Sequence, residues 1–246
     1  MTNYIIDINA DVGEGVGNEA DLMPYLSSCN IACGGHAGDV NTMVNVVKLA
    51  KSNRVKIGAH PSFPDRENFG RVDMNLTAAE LYTSLKQQIR TLQRVLYDAN
   101  CQLHHIKPHG ALYNLASKDA KIASVIIEVI KSIAIPIKLY APYNSKISKL
   151  ATRENIEVTF EAFADRNYND DLSLVSRQFN NALLGDKDEI FSHLTRIITQ
   201  EKVRSVNGVK VPIKASTFCV HSDTKNVTEI LKFLSVELPR NNISIQ

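Results

Sequence analysis

The amino-acid sequence predicts one α/β domain, residues 1–246, in which about seven parallel strands form a distorted (β/α) barrel. Short apolar runs alternate with longer helical stretches along the chain, a pattern typical of parallel sheets. No low-complexity stretch or Pro/Ser-rich linker divides the sequence. In the predicted strands one face is apolar and the other becomes polar toward the carboxyl end. This favours a barrel with a polar mouth over an open sheet with two apolar faces.

The strands are predicted from short apolar runs bounded by polar or turn-forming residues. They cover residues 4–10, 29–33, 55–59, 103–107, 137–141, 157–163 and 216–221. A small hairpin at residues 203–214, with Asn207-Gly208 at its centre, is expected before the last strand.

The helices are predicted from apolar residues at helical spacing. They are expected near residues 40–47, 81–96, 122–133, 188–200 and 227–234, with a short helix between the fifth and sixth strands. Thr77 is expected to cap the second of these helices, because Glu80 follows it at the spacing of a capping box.

Alternation along the strands predicts which side chains point into the barrel, because successive side chains of a strand point to opposite faces. The apolar set, such as Ile6, Ile8 and Ala10, suits packing against helices. The opposite set comprises Asp7, Asn9 and Asp11; Lys56, Gly58 and His60; His105, Lys107 and His109; Thr159 and Glu161; and Thr217, Cys219 and His221. These side chains are therefore expected to meet inside the barrel and at its mouth.

Composition narrows the functional classes. The net charge is only +2 and no run of five or more Lys/Arg occurs, so the electrostatic footprint of nucleic-acid binding is missing. No segment approaches the ~20 apolar residues of a membrane helix. The amino-terminal segment has no basic region followed by a long apolar run, so we expect a cytoplasmic protein without membrane contact. The four cysteines form no CxxC pair and are expected to be reduced core thiols.

Six polar motifs follow predicted strands, where parallel α/β folds build their sites. They are DINADVGEG (7–15), NIACGGHAGD (30–39), GAHPSFPD (58–65) with FGR (69–71), KPHGALYN (107–114), EAFADRNY (161–168) and HSD (221–223). The sequence contains no GxSxG elbow, no GxxxxGK[ST] phosphate loop and no HExxH zinc motif. Clustered Asp, Glu and His side chains indicate general acid–base chemistry, with or without a metal ion. Lys107, Arg71 and Arg166 are candidates to hold an anionic substrate or an oxyanion.

These motifs, in this order, resemble those of the LamB/YcsF family, the A subunit of bacterial ATP-dependent 5-oxoprolinase. KPHGALYN and FADRxY are long and specific, and the match runs from about residue 5 to residue 225. The resemblance implies hydrolysis of the 5-oxo-L-proline lactam to L-glutamate with hydrolysis of ATP. It also implies B and C partner subunits and a barrel similar to that of polysaccharide deacetylases. Because no phosphate loop occurs here, ATP and its Mg²⁺ are expected to be shared with the partners.

The motifs and the resemblance together assign candidate roles. The expected catalytic residues are Asp11, His60, Lys107, His109 and Asp165. The expected substrate-binding residues are Asp7, Asn9, Glu14, His36, Arg71, Tyr113, Asn114, Glu161, Arg166, His221 and Asp223. Departures from the family pattern, at Gly35, Val72, Ser176 and Ser222, lie beside the ionisable groups. They bear on substrate specificity more than on the reaction class.

A hypothesis for the mechanism follows from these roles. Arg71 or Arg166 would bind the substrate carboxylate, and Lys107 would bind the phosphoryl group or the developing oxyanion. Water would be activated by Asp11, His60 or His109. Phosphorylation of the lactam oxygen, or at least much of the ATP binding, is assigned to the partner subunits.

Three further possibilities stay open at the level of the sequence. Asp11, His36 and His60 resemble in type the Asp-His-His metal set of the deacetylase fold, so they are a candidate site for a divalent metal ion. The chain is alternatively a stand-alone, metal-dependent amide or N-acetyl-sugar hydrolase, which would need neither ATP nor partners. In the third alternative it is a non-catalytic subunit that binds a small acid and regulates a partner.

Overall fold

The computed structural model describes residues 2–246 and confirms the predicted barrel. The strands are β1 Tyr4–Val12, β2 Ser28–Ala32, β3 Lys56–His60, β4 Leu103–Ile106, β5 Lys138–Pro142, β6 Val158–Phe163, β7 Lys202–Arg204, β8 Lys210–Pro212, β9 Thr217–Cys219 and β10 Ile243–Ile245. Seven of them are parallel neighbours in the order β1-β2-β3-β4-β5-β6-β9, and β9 pairs with β1 to close the barrel. Strands β7 and β8 form the predicted antiparallel hairpin.

Within residues 2–246, eight α-helices connect and surround these strands. They are α1 Glu19–Leu22, α2 Val40–Asn53, α3 Ala78–Asp98, α4 Gly110–Lys118, α5 Ala120–Lys131, α6 Lys146–Arg153, α7 Lys187–Gln200 and α8 Val227–Arg240. The outward-facing side chains of β1, Ile6, Ile8 and Ala10, are buried in the apolar core that the helices cover. Burial of such side chains is the main contribution to the stability of a fold of this kind.

The start of α3 follows the prediction from the sequence in detail. The hydroxyl of Thr77 accepts a hydrogen bond from the Glu80 main-chain N–H, and the Glu80 carboxylate accepts one from the Thr77 N–H. The leucines and isoleucine of the predicted stripe are buried along the same helix. Local spacing therefore determines both where this helix begins and which face it buries.

Three elements, α1, α4 and β10, were not predicted. The segment after His109, predicted as a loop before one helix, forms the separate helix α4, and Asp119 then caps α5 by accepting from the N–H groups of Lys121 and Ile122. Asp119 has an extended backbone, and this separates α4 from α5. Strand β10 was not predicted; it pairs in parallel with Tyr4–Ile6 of β1, and three residues are too few for a periodic signal.

The inside of the barrel is polar, as the strand alternation predicted, and it is polar over its full depth. The lowest layer lies at the amino-terminal end of the strands. There the Asp7 carboxylate accepts hydrogen bonds from the hydroxyls of Ser28 (2.7 Å), Thr217 (2.5 Å) and Tyr140 (3.3 Å). Barrels of this type usually fill this space with branched apolar side chains. Here hydrogen bonds replace that packing, and they continue upward to the mouth.

No helix formed by the described residues is both long and apolar enough to cross a bilayer. Cys29, Cys33 and Cys219 are buried thiols, and burial raises the pKa of Cys33 to about 12.

Candidate active site

The polar motifs meet around a cavity of about 660 Å³ at the carboxyl ends of the barrel strands. Its lining includes Asp11, His60, Lys107 and His221, which lie at or just after the carboxyl ends of four different strands. A larger groove of about 1040 Å³ lies at the opposite end of the barrel, where β3, β4 and β5 begin, and it brings together no comparable group of acids and bases among the described residues. Parallel barrels place their chemistry at the carboxyl end, so the smaller cavity is the candidate active site.

Lys107, immediately after β4, lies at the floor of this cavity. Its side chain is buried, and its Nζ lies 2.9 Å from Asp11 Oδ1, 2.9 Å from Glu161 Oε1 and 3.1 Å from Cys219 Sγ. Burial by itself lowers the pKa of this ammonium group, but the neighbouring carboxylates outweigh burial and hold the pKa well above its ordinary value. Lys107 is therefore a permanent positive charge in a site of low dielectric.

Neutral amides and a phenol hold the two carboxylates in place. The Asn30 side chain donates to Asp11 Oδ1 (2.8 Å) and to Asn9 Oδ1 (2.7 Å), and the Asn9 side chain donates to Glu161 Oε1 (3.1 Å). The Tyr113 hydroxyl donates to Glu161 Oε2 at 2.8 Å. Because these donors are themselves buried and fixed, the charges around Lys107 are preorganised rather than mobile.

Three members of this network were not among the predicted site residues: Asn30, His105 and Cys219. His105 Nε2 donates to Asn30 Oδ1 at 2.7 Å, and its ring stacks on Tyr140. The strand alternation that placed His105 and Cys219 inside the barrel was a usable signal for both. Asn30 lies in a strand that is buried on both faces. The only signal for its role in the sequence was therefore a polar residue within an otherwise apolar run.

His60 and His109 face each other at the wall of the cavity. His60 Nδ1 donates to the main-chain carbonyl of Lys107 (2.7 Å), and His109 Nε2 donates to the carbonyl of Phe69 (2.9 Å). A carbonyl oxygen only accepts, so in neutral rings the remaining nitrogens, His60 Nε2 and His109 Nδ1, both carry lone pairs. These nitrogens are 2.9 Å apart. Two lone pairs at this distance repel unless a proton or a metal ion lies between or beside them.

Glu14 and His36 complete this histidine cluster. Glu14 Oε1 lies 2.8 Å from His36 Nε2, 3.2 Å from His109 Nδ1 and 3.7 Å from His60 Nε2. Burial lowers the pKa of His36 to about 4. Burial raises the pKa of Glu14, but hydrogen bonds from His109 and His36 bring the pKa well below its ordinary value. The ligand atoms of Glu14, His36, His60 and His109 all lie within 4.8 Å of one another, which is an arrangement suited to a metal ion.

The metal set expected from the sequence shares two residues, His36 and His60, with this cluster. Asp11 was grouped with His36 and His60, and its Oδ2 does lie 3.3 Å from His60 Nε2. Its other oxygen, however, is bound to Lys107 and Asn30. Burial raises the pKa of Asp11, but the charges of His60 and Lys107 bring the pKa well below its ordinary value. Glu14 and His109 take the place of Asp11 in the four-residue cluster.

A second acid–base pair lies across the cavity. The buried Asp165 accepts hydrogen bonds from His221 Nδ1 (2.9 Å), from the His221 main-chain N–H (2.9 Å) and from the Thr224 hydroxyl (2.5 Å). The His221 ring stacks on Phe163 with 13° between the planes. This arrangement fixes the ring and leaves His221 Nε2 as the nitrogen available to the cavity.

Asp165→Asn is expected to lower the free energy of unfolding by about 2 kcal/mol at pH 7. Burial raises the pKa of Asp165, but the charge and hydrogen bonds of His221 outweigh it and lower the pKa from 3.8 to about 2. Because the folded-state pKa lies below the unfolded one, this stabilisation is complete well above pH 4 and is lost as the pH falls toward 2. Urea unfolding at pH 7 and pH 3 should show a smaller gap between wild type and variant at pH 3. Asp98→Asn, an exposed change, is the control, and an equal gap at both pH values would contradict the assignment.

The rim of the cavity carries exposed charges from three loops. Asp223 Oδ2 lies 3.4 Å from Arg71 Nη2 and 3.0 Å from Arg177 Nη1. Asn114 lies on the same lining. The Arg166 guanidinium, by contrast, donates hydrogen bonds to two main-chain carbonyls of its own loop, those of Val175 (2.6 Å) and Ala182 (3.3 Å).

Two of the predicted substrate-binding residues, Arg166 and Asp7, make contacts that order the fold. Arg166 borders the cavity but orders the loop that follows β6. Asp7 lies in the lowest layer of the barrel, away from the mouth, because its strand enters the barrel from below. Alternation along β1 predicted correctly that the Asp7 side chain points into the barrel. It could not predict how far from the mouth this side chain lies.

Known proteins resemble this chain over nearly its whole length. The sequence model of the LamB/YcsF family matches residues 6–246. The A subunit of 5-oxoprolinase from Haemophilus influenzae (strain PittEE) is 41% identical over 240 residues, which is 98% of each chain. The crystal structure of a lactam utilization protein from Thermus thermophilus superimposes with a TM-score of 0.91 at 32% identity and covers 98% of both chains. A family 4 carbohydrate esterase from Streptomyces lividans shares the fold, with a TM-score of 0.51 at 9% identity over 99% of this chain and 92% of its own.

Proposed function

Because the chain belongs to the LamB/YcsF family, we propose that it is the A subunit of an ATP-dependent 5-oxoprolinase, which converts 5-oxo-L-proline to L-glutamate. Relatives that bear this name are similar over nearly its whole length. The observation that carries the proposal is the Lys107 ammonium group, fixed between Asp11 and Glu161 at the floor of the cavity. A buried cation of this kind is suited to an oxygen that gains negative charge during attack on a carbonyl.

The chemistry explains the need for ATP. A five-membered lactam is an unreactive amide, and transfer of the γ-phosphoryl group to its carbonyl oxygen makes the ring carbon electrophilic. Water then adds to that carbon, and the ring C–N bond must break in preference to the C–O bond to phosphate. The resulting acyl phosphate is hydrolysed by a second water to glutamate and phosphate. Since no Walker motif occurs in the sequence, we assign ATP and its Mg²⁺ chiefly to the B and C partner subunits.

The cavity offers a residue for each proton transfer. Lys107 binds the phosphoryl oxygens of the activated lactam and the carbonyl oxygen that becomes negative when the second water attacks the acyl phosphate. His221, held by Asp165, is placed to donate a proton to the departing ring nitrogen, which is the step that decides between ring opening and return to the lactam. Asp11 Oδ2, which lies 3.3 Å from His60 Nε2, is placed to accept the proton of the attacking water. Glu161 and Tyr113 keep Lys107 in position.

We further propose that Glu14, His36, His60 and His109 hold one divalent transition-metal ion, which when bound would act as a Lewis acid and lower the pKa of a ligated water. Two observations support the fit. The distal nitrogens of His60 and His109 donate to carbonyls, the usual second-sphere arrangement of metal-bound histidines. His36 Nδ1 is buried and has no hydrogen-bond partner within residues 2–246.

Metal binding is tested without reference to activity. Dialysis against Zn²⁺ followed by elemental analysis should give about one equivalent per chain, and removal of the ion by a chelator should lower Tm. His109→Gln should lose the ion, whereas His104→Gln, a change at the opposite end of the barrel, should keep it. Binding of no ion by the wild-type chain, or equal binding by the two variants, would contradict the site.

The proposed activity is tested by glutamate release from 5-oxo-L-proline and ATP, with the chain alone and with its partner subunits. We expect glutamate only when ATP and the partners are both present. Hydrolysis of an amide or N-acetyl sugar by the chain alone would favour the stand-alone hydrolase instead. Binding without turnover in the complete assembly would favour the regulatory subunit. The proposal places the enzyme in the cytoplasm, a reducing compartment that suits its buried thiols.

A further inference from the structure

The rim of the active-site cavity carries more positive than negative charge. Arg71 follows β3, Arg177 follows β6, and both line the cavity. They share one carboxylate, that of Asp223, which follows β9. Arg166 lies close enough for the charges of Arg177 and Arg71 to lower its pKa, after the larger effect of burial. Two guanidinium groups that share one carboxylate, with the charge of Arg166 nearby, leave this rim prepared for a further anion.

The position of Arg71 is imposed by a strained turn. Phe69 and Gly70 both have positive φ angles, 55° and 62°, and a bulky residue adopts such a conformation only when its surroundings enforce it. The Phe69 ring packs edge-on against His36 and His109, and the Arg71 guanidinium lies 4.8 Å from the centre of that ring. The turn therefore ties the guanidinium of Arg71 to the histidine cluster and fixes it at the rim.

Asp223 holds the two arginines only loosely. Arg71 and Arg177 each reach it through one nitrogen, and both contacts fall on the same oxygen, Oδ2. The side chain of Asp223 is 43% exposed, and ion pairs in such a setting are weak. A guanidinium binds a carboxylate more strongly through two parallel hydrogen bonds, which the Asp223 contacts do not use.

We propose that Arg71 and Arg177 form a clamp for the carboxylate of the substrate, and that Asp223 occupies the clamp until the substrate displaces it. This inference rests on the proposed function and adds to it the residues that recognise the acid. Arg177, rather than the loop-ordering Arg166, is the partner of Arg71. The carboxylate-bearing carbon of 5-oxo-L-proline is bonded to the ring nitrogen. Asp223 lies two residues from His221, so a carboxylate in the clamp brings that nitrogen toward the proton donor.

The test uses the reconstituted complex with its partner subunits. Arg177→Ala should raise KM for 5-oxo-L-proline roughly 10–100-fold and leave kcat within about threefold, because a charge-assisted contact to the non-reacting carboxylate is lost. Arg177→Lys should fall between the two. Asp223→Asn should lower KM a few-fold, since the competing carboxylate is removed. Arg153→Ala, an exposed change on α6, is the matched control.

The outcomes separate this inference from the proposed function. If the wild-type complex releases no glutamate, the proposed function fails. The clamp is then tested by direct binding of 5-oxo-L-proline to the wild-type complex and to complexes that carry the same variants. If wild type is active but Arg177→Ala leaves KM unchanged, or lowers kcat alone, the clamp is wrong. A rise in KM for Asp223→Asn as large as for Arg177→Ala would overturn displacement, because Asp223 would then position the arginines.

Discussion

Lys107→Met should reduce glutamate release by the complete enzyme by at least roughly 10²–10³-fold, mainly in kcat. Lys107 is the cation at the floor of the cavity, 2.9 Å from each of two carboxylates. A methionine of similar length fills the space but cannot stabilise an oxygen that becomes negative during attack. The loss should therefore appear in the chemical step and leave KM for ATP nearly unchanged.

The same change should lower stability, and the experiment has to separate the two effects. Without the ammonium group, Asp11 and Glu161 are left as unpaired buried charges, a situation that typically costs about 3–5 kcal/mol. Lys107→Met combined with Glu161→Gln removes one of these charges and should recover part of the stability without recovering activity. Circular dichroism and co-purification with the partners report the folded state.

The matched control is Lys232→Met on the exposed face of α8, which should keep both activity and stability. Glutamate release by the Lys107→Met complex at the wild-type rate would remove Lys107 from the mechanism. Activity that returns in the double variant would show that the lysine serves only to neutralise Glu161.

Gly58→Ala adds one methyl group inside the barrel and should be the most destabilising change of this kind there. It should lower the free energy of unfolding by about 3 kcal/mol or more. A Cβ at this position would lie 2.1 Å from His105 Nε2 and 2.4 Å from Cε1. His105 cannot move away freely, because its ring stacks on Tyr140 at 3.8 Å and its Nε2 donates to Asn30. A shift of His105 would therefore disturb the hydrogen bonds that hold Asp11.

Thermal and urea unfolding measure this effect, and a loss of about 3 kcal/mol corresponds to a Tm lower by roughly 6–12 °C. Gly185→Ala is the control, because among the described residues no atom beyond Gly185 and its two chain neighbours lies within 4 Å of its Cβ position, and its φ is not positive. It should change the free energy of unfolding by less than about 0.5 kcal/mol. Equal stability of the two variants would show that the His105 ring has room to move.

Much of the fold could be predicted because it depends on local spacing. The capping box at Thr77 and Glu80 fixes the start of α3, and alternation fixes which side chains of β1 face inward. Both signals involve residues within a few positions of each other. Helix α4 was missed because its first turns lie in the polar motif KPHGALYN, which was interpreted as a loop after β4.

The sequence could predict which residues lie at the candidate site, but it could not predict which of them contact one another. Lys107, Asp11, His60 and His221 were expected at the mouth, and all four line the cavity. Their partners depend on the stagger of strands that are distant in sequence. Glu161 reaches Asn9 only because β6 and β1 both pair with β9 at the closure of the barrel. Arg166 and Arg177 lie in one loop, and only the path of that loop decides which guanidinium reaches Asp223 and which binds main-chain carbonyls.

The sequence alone thus determined the seven strands of the barrel, the inward face of five of them, the family and the kinds of group at the mouth, because these follow from spacing and from motifs within short segments. The tertiary structure alone decided the depth of Asp7, the exchange of Asp11 for Glu14 and His109 in the histidine cluster, and the sharing of Asp223 by two arginines. Closing the barrel sets the height and rotation of each strand relative to its neighbours, and these two quantities are not encoded in any single segment.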